Sequence, residues 1–196
     1  MPLNTSRESI QTDRLELVAL TSAFVQALVA GEVAAAGAEI GARVSRSLTS
    51  DPSHIVQLHL AQQAGEAAGF AGLGRVIVLR SGPRGRRAIG SIGFHGAPDE
   101  RGRLEVGCRI LPSSRGWGYA AEALTALLEW AAADFGVTRF LVAVPSPRES
   151  HSLVAVEMAF EQGASFETST EGLAKLVEGA IDVGPRERSA DRRMDS

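Results

Sequence analysis

The residues of this 196-residue chain that could do chemistry concentrate between Glu105 and Glu122. An apolar strand-like run ends at Pro112. Ser113-Ser114-Arg115-Gly116-Trp117-Gly118-Tyr119-Ala120 then leads straight into a long helical pattern. Strand, glycine-rich turn and helix start make a ready anion site. The first N–H groups of a helix have no intrahelical acceptor, and the helix dipole favours negative charge there. Gly116 and Gly118 let the backbone approach a phosphate with no Cβ in the way. Charge-assisted bonds of this kind contribute roughly 1.5–3 kcal/mol each. The plainer alternative is a left-handed turn and helix cap that holds nothing.

Two nucleotide motifs do not fit this loop. A Walker loop ends in Gly-Lys-Ser/Thr, and neither the spacing nor the lysine is present. A dinucleotide fingerprint needs a third glycine after a parallel strand, with an acid about 20 residues on. Here the third small residue is Ala120, the incoming strand reads as antiparallel, and no acid ends the strand after the helix.

The remaining reactive residue types offer less. Cys108 is the only cysteine, so no internal disulfide or cysteine-based zinc site can form. It reads as a small buried apolar side chain. His54, His59, His95 and His151 lack helix-spaced metal-ligand patterns, and no metal is expected. His59 and His95 read as surface or core-edge residues. Ser81-Gly82-Pro83-Arg84-Gly85-Arg86-Arg87 could bind phosphate but reads better as a solvated hairpin loop. A net charge of −3, with no basic stripe, gives no nucleic-acid footprint. No apolar run reaches membrane-spanning length and no leader pattern opens the chain, so no membrane partner and a cytoplasmic location are expected. Lys175 is the only lysine, which reads as genome base bias rather than function.

The elements that would position the loop follow from hydrophobic period. Arg14 to Leu20 alternates like a strand, and Thr21-Ser22 can cap a helix carrying Phe24, Leu28 and Val29. Residues 31–74 are Ala-rich and blurred; Asp51 or Ser53 could cap a helix bearing Ile55, Leu58 and Leu60. Arg75–Arg80, Ala88–Phe94 and Leu104–Leu111 read as a meander of strands, with glycines at 90 and 93 suggesting bulges or close backbone approach. Ala120, Leu124, Leu127, Leu128, Ala131 and Phe135 share one helix face, which Gly136 ends. Phe140–Val144 reads as a buried strand and Ser152–Gln162 as a helix. Leu173–Val183 reads as a strand pair turning at Glu178-Gly179, or as a short helix. The expected organisation is a flexible segment 1–9, one α/β domain over 10–185 and a charged tail 186–196.

This order of elements around the loop resembles the GNAT acetyltransferases, in particular the branch of ribosomal-protein N-terminal acetyltransferases. The resemblance runs through Thr12-Asp13-Arg14-Leu15-Glu16-Leu17, Ile89-Gly90-Ser91-Ile92-Gly93, Glu105-Val106-Gly107-Cys108-Arg109-Ile110-Leu111-Pro112 and Met158-Ala159-Phe160-Glu161-Gln162-Gly163-Ala164. It implies an α/β (α+β) fold with a mixed, splayed sheet of about six or seven strands flanked by helices. Acetyl-CoA, as co-substrate, would lie where the strand around Leu104–Leu111 parts from Phe140–Val144. Its pantetheine arm would pair near Ile110 and Leu111, and its pyrophosphate would sit on Ser113, Arg115, Gly116, Trp117, Gly118, Tyr119 and Ala120. The family signature places Gln or Arg where this chain has Ser113, and Arg115 beside it is a candidate substitute.

The resemblance also implies the roles. The reaction is acetyl transfer to a primary amine, a protein N-terminus or a small molecule, in a bacterial cytoplasmic enzyme. A homodimer is left open. Glu105 is the candidate general base acting through water; the alternative is a salt-bridged strand glutamate beside Arg103 or Arg109. Ser152 is the candidate general acid, with Ser150 and His151 as neighbours. Relatives often carry Asn and Ser there, or a Tyr, and this chain carries Ser152 and Ala155. That departure keeps open a second reading, a catalytically weak acyl-CoA-binding or regulatory domain.

Overall fold

A computed structural model describes residues 9–66, 73–100, 102–137, 139–145, 164–171 and 174–181. The chain forms β1 (Ile10–Gln11), β2 (Leu15–Ala19), α1 (Ser22–Val29), α2 (Val33–Glu39), α3 (Arg46–Ser50), α4 (Ser53–Glu66), β3 (Gly74–Leu79), β4 (Arg87–Phe94), β5 (Arg103–Ile110), α5 (Tyr119–Phe135), β6 (Arg139–Pro145), β7 (Ala164–Glu171) and β8 (Ala174–Ile181). The strands make one mixed sheet in the order β1-β2-β3-β4-β5-β6-β8-β7. Seven of them run five residues or longer, and β1 is a two-residue addition to the edge. The expected termini and the expected helix Ser152–Gln162 lie outside the described residues.

Alternation along the inner strands explains the layering. In β3, Ile77 and Leu79 enter a core with Leu17, Phe94, Val106 and the Leu124–Leu128 face of α5. Val76 and Val78 point the other way, into a core with Phe24 and Leu28 of α1, Leu48 of α3 and Leu58 of α4. A strand covered on both faces must be apolar throughout, and every residue of β3 is buried. Helix starts follow local chemistry. Thr21 Oγ1 accepts the Phe24 N–H at 3.1 Å and caps α1. Gly136, at φ 67°, closes α5 with its N–H on the Ala132 carbonyl.

The glycines of β4 do what their placement suggests. Register shifts at Ile77/Val78, with Ile77 opposite Gly90 and Val78 opposite Ala88, so Ile89 is the extra residue of a bulge. A Cβ on Gly93 would stand 2.8 Å from the Gly74 Cα, so α4 and β3 pack close there. Two expectations need correction. Leu60 is 59% exposed, because of the three apolar residues only Ile55 and Leu58 fall on the buried face of α4, with Gln62. Glu178-Gly179 is not a turn; both lie within β8, paired to Glu167 and Phe166 of β7.

All neighbouring strands are antiparallel except β5 and β6. Those two pair in parallel only from Arg103↔Arg139 to Val106↔Val142. At that joined end Phe94 and Phe140 stack with centroids 6.0 Å apart, and both are fully buried. Phe140→Ala should therefore cost about 3–5 kcal/mol, seen as a melting-temperature drop of roughly 10 °C. A drop of under 2 °C would show that this stack does not secure the join.

Candidate functional site

The gap between β5 and β6 opens at Gly107. Beyond Val106 the two strands no longer pair, yet β5 still pairs with β4 to Gly90↔Ile110 and β6 with β8 to Pro145↔Ala174. In an antiparallel ladder every second residue turns its N–H and C=O to a given neighbour. Glu105 accepts the His95 N–H at 2.8 Å and Leu111 donates to the Ile89 carbonyl at 2.8 Å, so the odd-numbered residues face β4. Cys108 and Ile110 turn theirs to the gap. The Ile110 carbonyl is taken by Arg115 Nε at 3.0 Å, and the Leu111 carbonyl by the Ser114 N–H at 2.8 Å.

The loop follows without a break. Pro112–Ser114 form one 3₁₀ turn, with Ser114 buried and Ser113 exposed. Arg115 is extended, and Gly116 and Gly118 are left-handed at φ 80° and 76°. That region costs an L side chain roughly 1–2 kcal/mol, so glycine is required twice within three residues. Gly118 caps α5 without any side-chain acceptor, its carbonyl taking the Glu122 N–H at 3.1 Å. Among the described residues, nothing accepts from the N–H groups of Gly116 through Ala121. Trp117 is 66% exposed beside them. These open amides, in a cradle with no atom within 4 Å of a Cβ on Gly116, fit a pyrophosphate.

The turn before β2 grips this helix end. Glu122, in the first turn of α5, accepts from Thr12 Oγ1, from the Arg14 N–H at 3.0 Å and from Arg14 Nε at 2.6 Å. Burial pushes the Glu122 carboxyl up, but these hydrogen bonds outweigh it and hold the group below its ordinary value. Arg14 Nη1 also donates to the Trp117 carbonyl at 2.9 Å.

The α4 face of β5 carries a different chemistry. A cleft of ≈ 460 Å³ is lined by Ser50, Asp51, His54, Ser91, Arg109 and Arg115, among others. Arg109 pairs with Asp51; hydrogen bonds from Ser53 and Arg109 hold that carboxyl down at about 2. His54 Nδ1 lies 2.7 Å from Ser91 Oγ. A Cβ on Gly107 would collide with His95 Nε2 and stand 2.9 Å from His54 Nε2. Both imidazoles therefore occupy the space a side chain would take where the gap opens. Burial, then the neighbouring His95 and Arg109, push His54 down to about 4, so it is neutral at pH 7. Glu105, one step along the same face, is exposed. Arg103 pairs with Asp99 and Arg109 with Asp51, and among the described residues Glu105 has no ion-pair partner. Cys108 faces the α5 core, and burial pushes its thiol up to about 12, which rules out a thiolate at neutral pH.

The structure thus places Ile110, Ser113 and Arg115 along the gap and its mouth and leads on to Gly116–Ala120. Glu105 lies just before the gap, still opposite Leu141 of β6. Leu111, expected beside the pantetheine arm, has its N–H on the Ile89 carbonyl and its carbonyl on the Ser114 N–H. Ser152, with Ser150 and His151, lies outside the described residues. Sequence reasoning missed Arg14, His54 and Ser91. The glycines at 93 and 107 were the available signal, since side-chain-free strand positions make room for something from α4. Another depression of ≈ 630 Å³ over α2, lined by Val33, Gly37 and Arg43, lies open and apart from the loop. Among the described residues no group of three or more potential ligands could hold a metal ion. No described helix is long and apolar enough to cross a membrane.

A mixed sheet that parts between its one parallel pair, flanked by helices, is the fold of acetyltransferase domains. The Acetyltransferase (GNAT) domain family model matches residues 14–158, and the chain belongs to that family. It is 26% identical over 77 residues to the uncharacterized N-acetyltransferase YoaA of Bacillus subtilis; the match spans 39% of this chain and 44% of that protein. Among solved structures it resembles the ribosomal-protein-S5-alanine acetyltransferase of Vibrio fischeri, at 14% identity and TM-score 0.58, covering 91% of this chain and 100% of that one. It also resembles RimL, the ribosomal L7/L12 α-N-protein acetyltransferase in complex with coenzyme A, at 18% identity and TM-score 0.54, covering 89% and 98%. At these identities the structural likeness is one of fold.

His54 gives a test of the site's electrostatics. In an unfolded chain it protonates near ~6.5. Between that value and about 4 the unfolded state binds a proton that the native state refuses. Stability should fall by on the order of 2 kcal/mol as pH drops through this window, with the His54 contribution complete below it. Denaturant melts from pH 7.5 to 4 should show a shallower slope for His54→Gln. Identical slopes would assign the loss to another group.

Proposed function

We propose that the chain transfers an acetyl group from acetyl-CoA to a primary amine by direct attack, acting in the cytoplasm. One observation carries this: the length of β5 that β6 leaves unpaired, from Gly107 to Ile110, leads through one short turn to the open amides of Gly116–Ala121. Acetyl-CoA would supply the activated thioester carbonyl. The Cys108 backbone groups and the Ile110 N–H, which face the gap, would hold the pantetheine arm, and the loop amides the pyrophosphate. The acceptor would enter from the α4 side, over Gly107, where His54, His95, Glu105 and Arg109 stand.

Direct attack forms a C–N bond, breaks the C–S bond and releases one proton from the incoming ammonium. Glu105, exposed and without an ion-pair partner among the described residues, would take that proton through water. As the C–S bond breaks the nitrogen sheds its second proton, and Ser152 would pass a proton to the departing sulfur in exchange for it, so one proton is released net. Coenzyme A thiol resembles cysteine in acidity, so that assistance can be small. An α-amino group, with pKa near ~8, needs about 3 kcal/mol less help at neutral pH than a lysine near ~10.4. A protein N-terminus, or a small amine of similar pKa, is the acceptor these groups suit best.

CoA and acetyl-CoA should raise the melting temperature. Ligand at a hundredfold excess over Kd stabilises by about 2.7 kcal/mol. Gly118→Val should abolish that protection while leaving the circular dichroism unchanged, because a β-branched residue resists φ 76° and obstructs the cradle. Retained CoA affinity in the variant would show the loop to be only a cap. Glu105→Gln should keep CoA affinity and lower kcat/KM by about 10²–10⁴ near neutral pH. The deficit should shrink as pH approaches the amine's own pKa, where neutral amine forms unaided. A raised KM with unchanged kcat would instead make Glu105 a binding residue. CoA protection with no turnover across an amine panel would favour an acyl-CoA-binding or regulatory domain.

A further inference from the structure

The loop carries a cradle of N–H groups, but it does not aim its own cation at them. Ser113 is uncharged. Arg115 turns back, placing Nε on the Ile110 carbonyl and lining the α4-side cleft. Arg14 borders the other side of the cradle, delivered by the turn before β2. Its Nε is committed to Glu122 and its Nη1 to the Trp117 carbonyl, and its guanidinium carbon lies 4.7 Å from the centre of the Tyr119 ring. These contacts fix the plane and direction of the group. Among the described residues no hydrogen bond engages Nη2, which stands 3.6 Å from the point where a Cβ on Gly118 would be. The unused edge of a fixed guanidinium therefore flanks the glycine whose neighbours present the open amides.

Glu122 sharpens the argument. Its carboxylate sits in the first turn of α5, where it would repel an arriving phosphate. Two hydrogen bonds from Arg14, one through the main chain and one through the guanidinium, offset that charge and hold it aside.

We infer that Arg14 is a cofactor-binding residue: held by Glu122 and the Trp117 carbonyl, it presents Nη2 to the phosphate seated on the Gly116–Ala121 amides, and so supplies from the N-terminal turn the cation that Ser113 does not. This rests on the CoA reading above.

Isothermal titration of the full chain with CoA tests it, alongside pantetheine, which lacks the phosphates. Arg14→Gln should weaken CoA about 10- to 100-fold, the range of a charge-assisted bond, and leave pantetheine unchanged. Its dependence of Kd on salt should also be shallower. Glu122→Gln removes the clamp's acid but keeps the cation, so its CoA affinity should equal or exceed that of the wild type. Arg14→Lys, which keeps the charge without the fork, should fall between and serves if Arg14→Gln does not fold. Arg14→Gln within threefold of wild type would overturn the inference alone. So would equal losses in Arg14→Gln and Glu122→Gln, which would make Arg14 a clamp only, or an equal loss of pantetheine binding. A folded wild type indifferent to CoA would overturn this inference together with the functional reading.

Discussion

The site depends on where one parallel strand pair stops. β5 and β6 exchange hydrogen bonds over four residue pairs and then separate after Val106 and Val142. Each strand is still held along its outer edge, β5 by β4 and β6 by β8. Neither can move to close the gap without breaking the ladder behind it. Backbone groups that leave a ladder must find other partners. Arg115 satisfies one of them, the Ile110 carbonyl, at the mouth of the gap. Deeper in, the groups of Cys108 remain for whatever occupies the space. A fixed slot lined by unpaired amides and carbonyls suits an amide-bearing arm better than an apolar or purely ionic ligand.

The crossover from β5 to β6 sets the rest. A parallel pair needs a long connection, and here it is α5, packed by Leu124, Leu127 and Leu128 against one sheet face. Because α5 begins at the end of β5, its N-terminus must sit at the mouth of the gap. On the opposite face of β5, bordered by α4, the strand carries Glu105, Gly107 and Arg109, the first and last of them exposed. One strand thus separates two environments. Amides and a helix dipole lie at its end, while titratable side chains lie on its α4 face. Donor and acceptor can approach the same few atoms from different sides.

Much of this was legible because it rests on local rules. The period of Ala120 to Phe135, the glycine that stops it and the Gly-x-Gly turn that starts it are set by side-chain spacing and backbone sterics. The bulge in β4 followed from its glycines. What could not be read depends on long-range packing. Arg14 meets Glu122 across more than a hundred residues, and no period marks either as part of the loop. His54 lies in an Ala-rich stretch with a weak apolar face, and its role arises only because β5 leaves Gly107 bare beneath it. Glu178-Gly179 resembled a turn by composition, yet pairing on β8 kept the chain extended. Backbone pairing overrode a two-residue preference, as sheet context commonly does.

The two long-range features share one logic. A helix N-terminus gains stability from a side-chain cap, and α1 takes one from Thr21. At α5 the same device would fill the amides that an anion needs. Gly118 leaves them open, and replacing a capping side chain by glycine costs only a few tenths of a kcal/mol. The larger cost of an open end is an unanchored first turn. Thr12 and Arg14 meet it from outside, fastening Glu122 and the Trp117 carbonyl without touching the amides. The N-terminal turn therefore braces the helix end on which the loop is built. It allows the helix end to be both rigid and unoccupied, two conditions that a capped helix cannot satisfy together.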